Sequence, residues 1–167
     1  MKILKKIGNF VFPVLLILSL VSISTVDVFA AAGSRTYNST KKMSVILPVK
    51  TTGDSSEIQI RVSDLPKKAV ITKMIINTGS LSYTGAVVTN YLTIKSSNNR
   101  TEQIPWNGQA NKNLTTNGFL ASLANGTYTL KFNATCVGGA IIYGKMTDIG
   151  TKTYSRPSIT IYWDDSF

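Results

Sequence analysis

Along most of the chain, apolar and polar residues alternate one for one. The clearest case follows Asn125-Gly126, where Tyr128, Leu130 and Phe132 alternate with Thr127, Thr129 and Lys131. Successive side chains of a strand point to opposite faces, so this pattern predicts a half-buried strand entered from a turn. Tyr128, Leu130 and Phe132 are expected to face a core and Thr129 and Lys131 water, because the opposite phase would bury a lysine without a partner.

The same alternation recurs at short intervals. Residues 43–49 place Val45, Leu47 and Val49 in phase, and residues 57–63 set Ile58, Ile60 and Val62 against Gln59 and Arg61. The two segments, separated by a loop-like stretch at 51–56, read as neighbouring strands. Residues 69–78 carry apolar residues on both phases, with Val70, Met74 and Ile76 on one and Ile71 and Ile75 on the other, as in a central strand. Residues 86–96 set Val88, Leu92 and Ile94 against Thr89, Thr93 and Lys95. Shorter strands are expected at 100–104, 119–123, 139–146 and 158–163, and loops at 79–85, 96–100 and 105–118.

Eight or nine short strands with no amphipathic helix of three turns predict an all-β fold, a single antiparallel β-sandwich of jelly-roll type. A closed barrel with an even number of strands is the alternative.

The first thirty residues break this pattern. Lys2, Lys5 and Lys6 precede an apolar stretch from Phe10 to about Val21, and Val28-Phe29-Ala30 supplies small residues for cleavage. Residues 1–30 therefore read as a secretory signal peptide, too short and too diluted by Ser22, Ser24, Thr25 and Asp27 for a bilayer span. Residues 31–42 are polar and read as a flexible lead, leaving 43–167 for the β-sandwich domain. The expected product is released, extracellular or cell-wall associated, with no transmembrane segment after cleavage.

Cys136 is the only cysteine, so no internal disulfide is available, and its phase with Phe132 and Ala134 predicts a buried apolar role. One unpaired cysteine in a secreted chain points to a bacterial source. Residues 31–167 hold 15 basic and 7 acidic residues, net +8. That charge favours anionic extracellular polymers, but the basic residues are scattered and argue against nucleic acid as a partner.

Composition also limits the chemistry. There is no histidine, which removes Ser-His-Asp and Cys-His nucleophile systems and the usual zinc ligands. The seven acids of residues 31–167 offer no evident facing pair for a glycosidase and no calcium loop. Gly138-Gly139 lacks a following Lys-Ser/Thr and reads as a bend rather than a phosphate loop. The chain is therefore read as non-catalytic, with no cofactor and no metal.

Candidate binding residues are surface aromatics and their polar neighbours: Trp106, Asn107, Tyr83, Tyr154 and Arg156. Pro105-Trp106-Asn107-Gly108 has the composition of a tight turn that pushes the indole outward as a platform, while a tryptophan folded back over the end of the core is the competing reading.

The run from Ile71 through Ile94, followed by Leu123-Ala124-Asn125-Gly126-Thr127-Tyr128-Thr129-Leu130 and a closing aromatic strand, resembles the jelly-roll P domain that accompanies subtilisin-like proteases. That family has an Asn-Gly-Thr-aromatic turn before a late strand. Its His-Thr-aromatic and Gly-Asp-Leu elements are missing here, where Asn77-Thr78-Gly79-Ser80 and Thr84-Gly85-Ala86 stand instead. The function expected from the residues themselves is that of a secreted binding protein for an extracellular surface, an envelope polymer, a glycan or a protein. The alternative is a secreted toxin or antimicrobial protein acting on membranes.

Overall fold

The computed structural model describes residues 31–166, all of whose regular structure is antiparallel strand. The strands are β1 (Ala32–Asn38), β2 (Lys42–Pro48), β3 (Thr52–Asp54), β4 (Ile58–Val62), β5 (Val70–Asn77), β6 (Ser80–Thr84) and β7 (Ala86–Ser96). They continue as β8 (Thr101–Pro105), β9 (Asn113–Thr116), β10 (Gly126–Gly138), β11 (Ile141–Ile142), β12 (Lys145–Met146), β13 (Ile149–Ser155) and β14 (Ser158–Asp164). The all-β class is as expected, but the described residues form 14 strands in four sheets rather than eight or nine strands. The expected signal peptide lies outside the described residues.

Two of the sheets are successive halves of one ribbon. One has the order β1-β14-β5-β9 and the other β2-β13-β6, and chain neighbours occupy matching places in each. The three chains break at the same level: Asn38 and Asn77 both oppose Ser158, while Lys42 and Ser80 both oppose Ser155. Gly79 and Arg156 take positive φ there, +75° and 58°. A Cβ on Gly79 would stand 2.1 Å from the Ser155 carbonyl oxygen, so the bend has room for glycine alone.

A further sheet is built on β10, whose long strand pairs with β7 on one side and with β4 and β3 in succession on the other; β8 extends it beyond β7. Met43, Val45, Leu47 and Tyr154 from one half of the ribbon, Met74, Ile76, Ile159 and Ile161 from the other, and Ile58, Ile60, Leu92, Ile94, Leu130 and Phe132 from the β10 sheet form a single buried cluster. Cys136 is buried in it as a free thiol. Among the described residues no helix is long and apolar enough to cross a membrane.

β-Bulges shift the apolar phase. In β7, Tyr91 opposes Asn133 but Thr89 opposes Ala134, leaving Asn90 as an extra residue. Its side-chain amide bonds Asn133 at 2.8 Å and Thr135 at 3.0 Å. The insertion turns Thr89 inward and leaves Val88 exposed, reversing the alternation expected for that end of the strand. A second bulge, at Thr72, puts Ile71 on the same face as Met74 and Ile76. The insertion accounts for Ile71 but not for Ile75, which is half-buried on the opposite face, and β5 is central, between β14 and β9.

Other expectations fail for identifiable reasons. Residues 31–42 are not a flexible lead: β1 pairs with β14 over seven residues, and β2 begins at Lys42. As an edge strand with Ser34, Arg35 and Thr36 in water, β1 carries almost no apolar alternation. β13 was hidden because its inward positions are Gly150, Lys152 and Tyr154. β3, β6 and β9 are short and polar and lie in segments expected to be loops. The segment around Phe119 is a turn that buries Phe119 and leaves Leu120 and Leu123 exposed, not a strand, and residues 139–146 form a β11–β12 hairpin. β2 and β4 belong to different sheets.

Candidate functional site: a polar groove across the β10 sheet

The alternation that buries Tyr128, Leu130 and Phe132 turns Thr127, Thr129 and Lys131 outward. The strands on either side do the same, and their outward residues meet in rungs. Gln59, Thr129, Lys95 and Thr101 form one rung across β4, β10, β7 and β8. Lys131, Thr93 and Gln103 form the next, and Asn133 and Tyr91 a third. Together with Asp54, Glu57 and the Ser96–Asn99 turn, these side chains, Asn133 excepted, line a groove of about 620 Å³.

Charge is concentrated at one end. Lys131 Nζ lies 2.8 Å from Asp54 and 3.6 Å from Glu57, and the Asn133 amide donates to Asp54 at 2.7 Å. The Asn133 hydrogen bond, with Lys131, holds the Asp54 carboxyl below its ordinary pKa, and Asp54 in turn raises the Lys131 ammonium above its own. This end is fixed by its internal contacts. Lys95, at the other end of the floor, is exposed and has no ion pair among the described residues.

The groove therefore presents hydroxyl, amide and ammonium groups beside one tyrosine ring. Such a surface can hold a polar, hydroxyl-rich ligand by many modest hydrogen bonds, each reversible against water. Among the described residues no group of three or more His, Cys, Asp or Glu could hold a metal ion.

The five residues singled out from the sequence do not converge. Trp106 is only 5% exposed and Tyr154 is fully buried, so neither ring is a surface platform. Trp106 packs at 4.5 Å from Tyr154 and edge-on to Phe132 at 6.4 Å, centroid to centroid, because the chain after β8 folds back over the core. The capping reading of this tryptophan is the one realised. The Tyr154 hydroxyl donates to the Gly108 carbonyl at 2.6 Å, which binds that loop to β13.

Asn107 is exposed beside this lid and spends its side-chain oxygen on the Gln109 amide at 3.4 Å. Tyr83 is 65% exposed, in a shallow depression with Leu81, Val88 and the buried Lys152. Arg156 is exposed at the ribbon bend, beside Asn38, Ser39 and Thr40.

The groove residues are visible in the sequence only as wet strand faces: Gln59 on β4, Thr93 and Lys95 on β7, Thr129 and Lys131 on β10. What was missing is the strand order that sets β4, β10, β7 and β8 side by side, with β10 pairing across more than thirty intervening residues.

No protein-family model matches the chain, and no curated protein matches it. Among solved structures, similarity is found to the crystal structure of FLHE, at 15% identity over 80% of this chain and 98% of that one, with a TM-score of 0.45. A serine protease of Aeromonas sobria aligns over 70% of this chain and 28% of its own length, at 9% identity and TM-score 0.30. The structure of infectious bursal disease virus Gt strain aligns over 80% and 36%, at 12% identity and TM-score 0.35. At these values the similarities assign no function.

Proposed function

We propose that this protein is secreted, that its strands form a single jelly-roll-like β-sandwich, and that it binds an extracellular surface without catalysis. The ligand we favour is a glycan or another hydroxyl-rich envelope polymer, laid along the groove over β4, β10, β7 and β8.

One observation supports this most: the groove floor is a ladder of Gln59, Thr129, Thr93, Thr101 and Gln103, with Tyr91 beside it and Lys95 free of ion pairs among the described residues. Amide and hydroxyl groups match sugar hydroxyls as donors and acceptors, a tyrosine ring offers an apolar face to a pyranose, and an unpaired lysine favours a polymer with acidic substituents. A leader of signal-peptide composition and a net charge of +8 over residues 31–167 fit an extracellular, anionic setting. A bacterial envelope is the setting we favour.

A salt-titrated pull-down on purified bacterial cell walls tests the reading. Retention at low salt, with a part that survives screening at high salt, is expected from hydrogen bonding with charge assistance. Complete release into a low-salt supernatant would remove the proposal.

A further inference from the structure

Between β10 and β13 the chain leaves the sheets as the β11–β12 hairpin, Ile141-Ile142-Tyr143-Gly144-Lys145-Met146. Tyr143 and Gly144 form its two-residue turn, both at positive φ, 50° and +74°. Two such residues make the tight turn whose twist matches a β-ribbon. The tip stands free: Tyr143 is 100% exposed, Ile141 and Met146 are each 72% exposed, and a Cβ on Gly144 would have nothing within 4 Å.

The base, in contrast, is pinned. Thr147 N–H donates to the Ala140 carbonyl at 2.7 Å, Ala140 N–H donates to the Ile149 carbonyl at 3.0 Å, and the Thr147 hydroxyl donates to the Ile149 carbonyl at 3.0 Å. Exposed Val137 and Ile149 flank that base.

A finger of apolar side chains on a fixed base calls for an apolar partner, since isolated exposed apolar residues are ordinary but a contiguous set of them marks a contact surface. We propose that this hairpin inserts into the interfacial layer of an anionic lipid bilayer. Three features favour lipid over a protein partner. The tip is convex and only six residues long, whereas a stable protein interface engages about 20 to 30 residues a side. Its composition, with two isoleucines and a methionine around an apical tyrosine, suits the boundary between headgroups and acyl chains, where tyrosine is enriched. Its one charge is Lys145, and residues 31–167 carry +8 in all, which complements an anionic leaflet; Asp148 is the one acid nearby in sequence. At about 3.4 Å per residue the strands project the tip roughly 7 to 10 Å, comparable to the depth of interfacial insertion. This contact is separate from the groove and would hold the protein at a membrane whatever the groove binds.

The test is co-sedimentation of the purified protein with phosphatidylglycerol-rich and with pure phosphatidylcholine vesicles at low salt. Wild type is expected to sediment with the anionic vesicles and much less with the zwitterionic ones. The variant Ile141→Ser/Tyr143→Ser/Met146→Ser should lose tenfold or more in partitioning at an unchanged melting temperature, and Lys145→Glu severalfold. A groove variant, Gln59→Ala/Gln103→Ala, should bind vesicles as wild type does, and the tip variant should bind cell walls as wild type does. Absence of wild-type binding to anionic vesicles, equal binding by the tip variant, or loss of vesicle binding in the groove variant would each overturn the proposal.

Discussion

Trp106 and Tyr154 lie with ring centroids 4.5 Å apart, the indole closing the core above a tyrosine whose hydroxyl holds the Gly108 carbonyl at 2.6 Å. The pair joins the loop after β8 to the C-terminal end of β13. Trp106→Ala should therefore cost about 3 to 5 kcal/mol of stability, the range for large aromatics removed from cores. Chemical unfolding of wild type and variant side by side measures it. A change below half a kilocalorie would show that the indole does not close the core.

Leu130 is fully buried at the centre of β10, between β4 and β7. Leu130→Ala should cost about 2 to 5 kcal/mol, because the strands paired on both sides limit collapse into the cavity. Thr129→Ala, one residue away but facing the groove, should change stability by no more than about 0.5 kcal/mol, as for ordinary surface substitutions. Equal losses at the two positions would refute the inward and outward assignment.

Several elements were legible from residue pattern alone, and the reasons differ from the reasons others were not. β2, β4, β10 and β14 alternate aliphatic or aromatic residues with polar ones, so their phase fixes their buried face. β13 carries Lys152 and Gly150 on its inward side, which no hydrophobic periodicity reports. β1 draws its order from backbone pairing at an edge, where side chains give no signal. Val88 and Thr89 exchange faces because Asn90 is inserted, and a bulge one residue long is invisible to period counting. Trp106 misled because its Pro-Trp-Asn-Gly surroundings are turn-like, and a turn can aim its side chain inward as well as outward. The groove needed strand order, and strand order is a long-range property.

Gly79 is the hinge of the bent ribbon, with the Ser155 carbonyl 2.1 Å from where a Cβ would sit. Gly79→Ala should lower the melting temperature by at least several degrees, since both the close approach and the positive φ penalise a side chain. Gly144→Ala, also at positive φ but in open space, should cost less. A calorimetric scan in which the order is reversed would contradict the hinge assignment.

Burial pushes the phenols of Tyr128 and Tyr154 up to about 12, whereas in an unfolded chain they ionise near 10. The folded state thus retains these protons after the unfolded state has lost them. Their contribution to stability is complete below pH 10 and is lost as pH rises from about 10 to about 12. Absorbance at the phenolate band should show them ionising together with loss of the fold. Ionisation of all tyrosines near pH 10 with the fold intact would contradict their burial.

Lys152 is 6% exposed, and its ammonium donates a hydrogen bond to the Val87 carbonyl at 2.8 Å, with no carboxylate paired to it among the described residues. Burial lowers its pKa below 10.5. Between that lowered value and 10.5 the unfolded state binds more protons, so stability rises with pH across this window. Lys152→Met keeps the stem and removes the charge, and should stabilise the fold at neutral pH. Its advantage should shrink as pH approaches 10.5, and an advantage independent of pH would show that the charge is not the cause.

If the groove over β4, β10, β7 and β8 recognises the ligand, removing the amides of its floor must weaken binding. The most direct measurement is the dissociation constant for isolated cell-wall polymer of wild type and of Gln59→Ala/Gln103→Ala, with melting temperatures matched. These two amides project from opposite sides of the groove floor, so removing both should weaken binding tenfold or more at unchanged stability. An unchanged dissociation constant in the folded variant would show that the groove is not the binding surface.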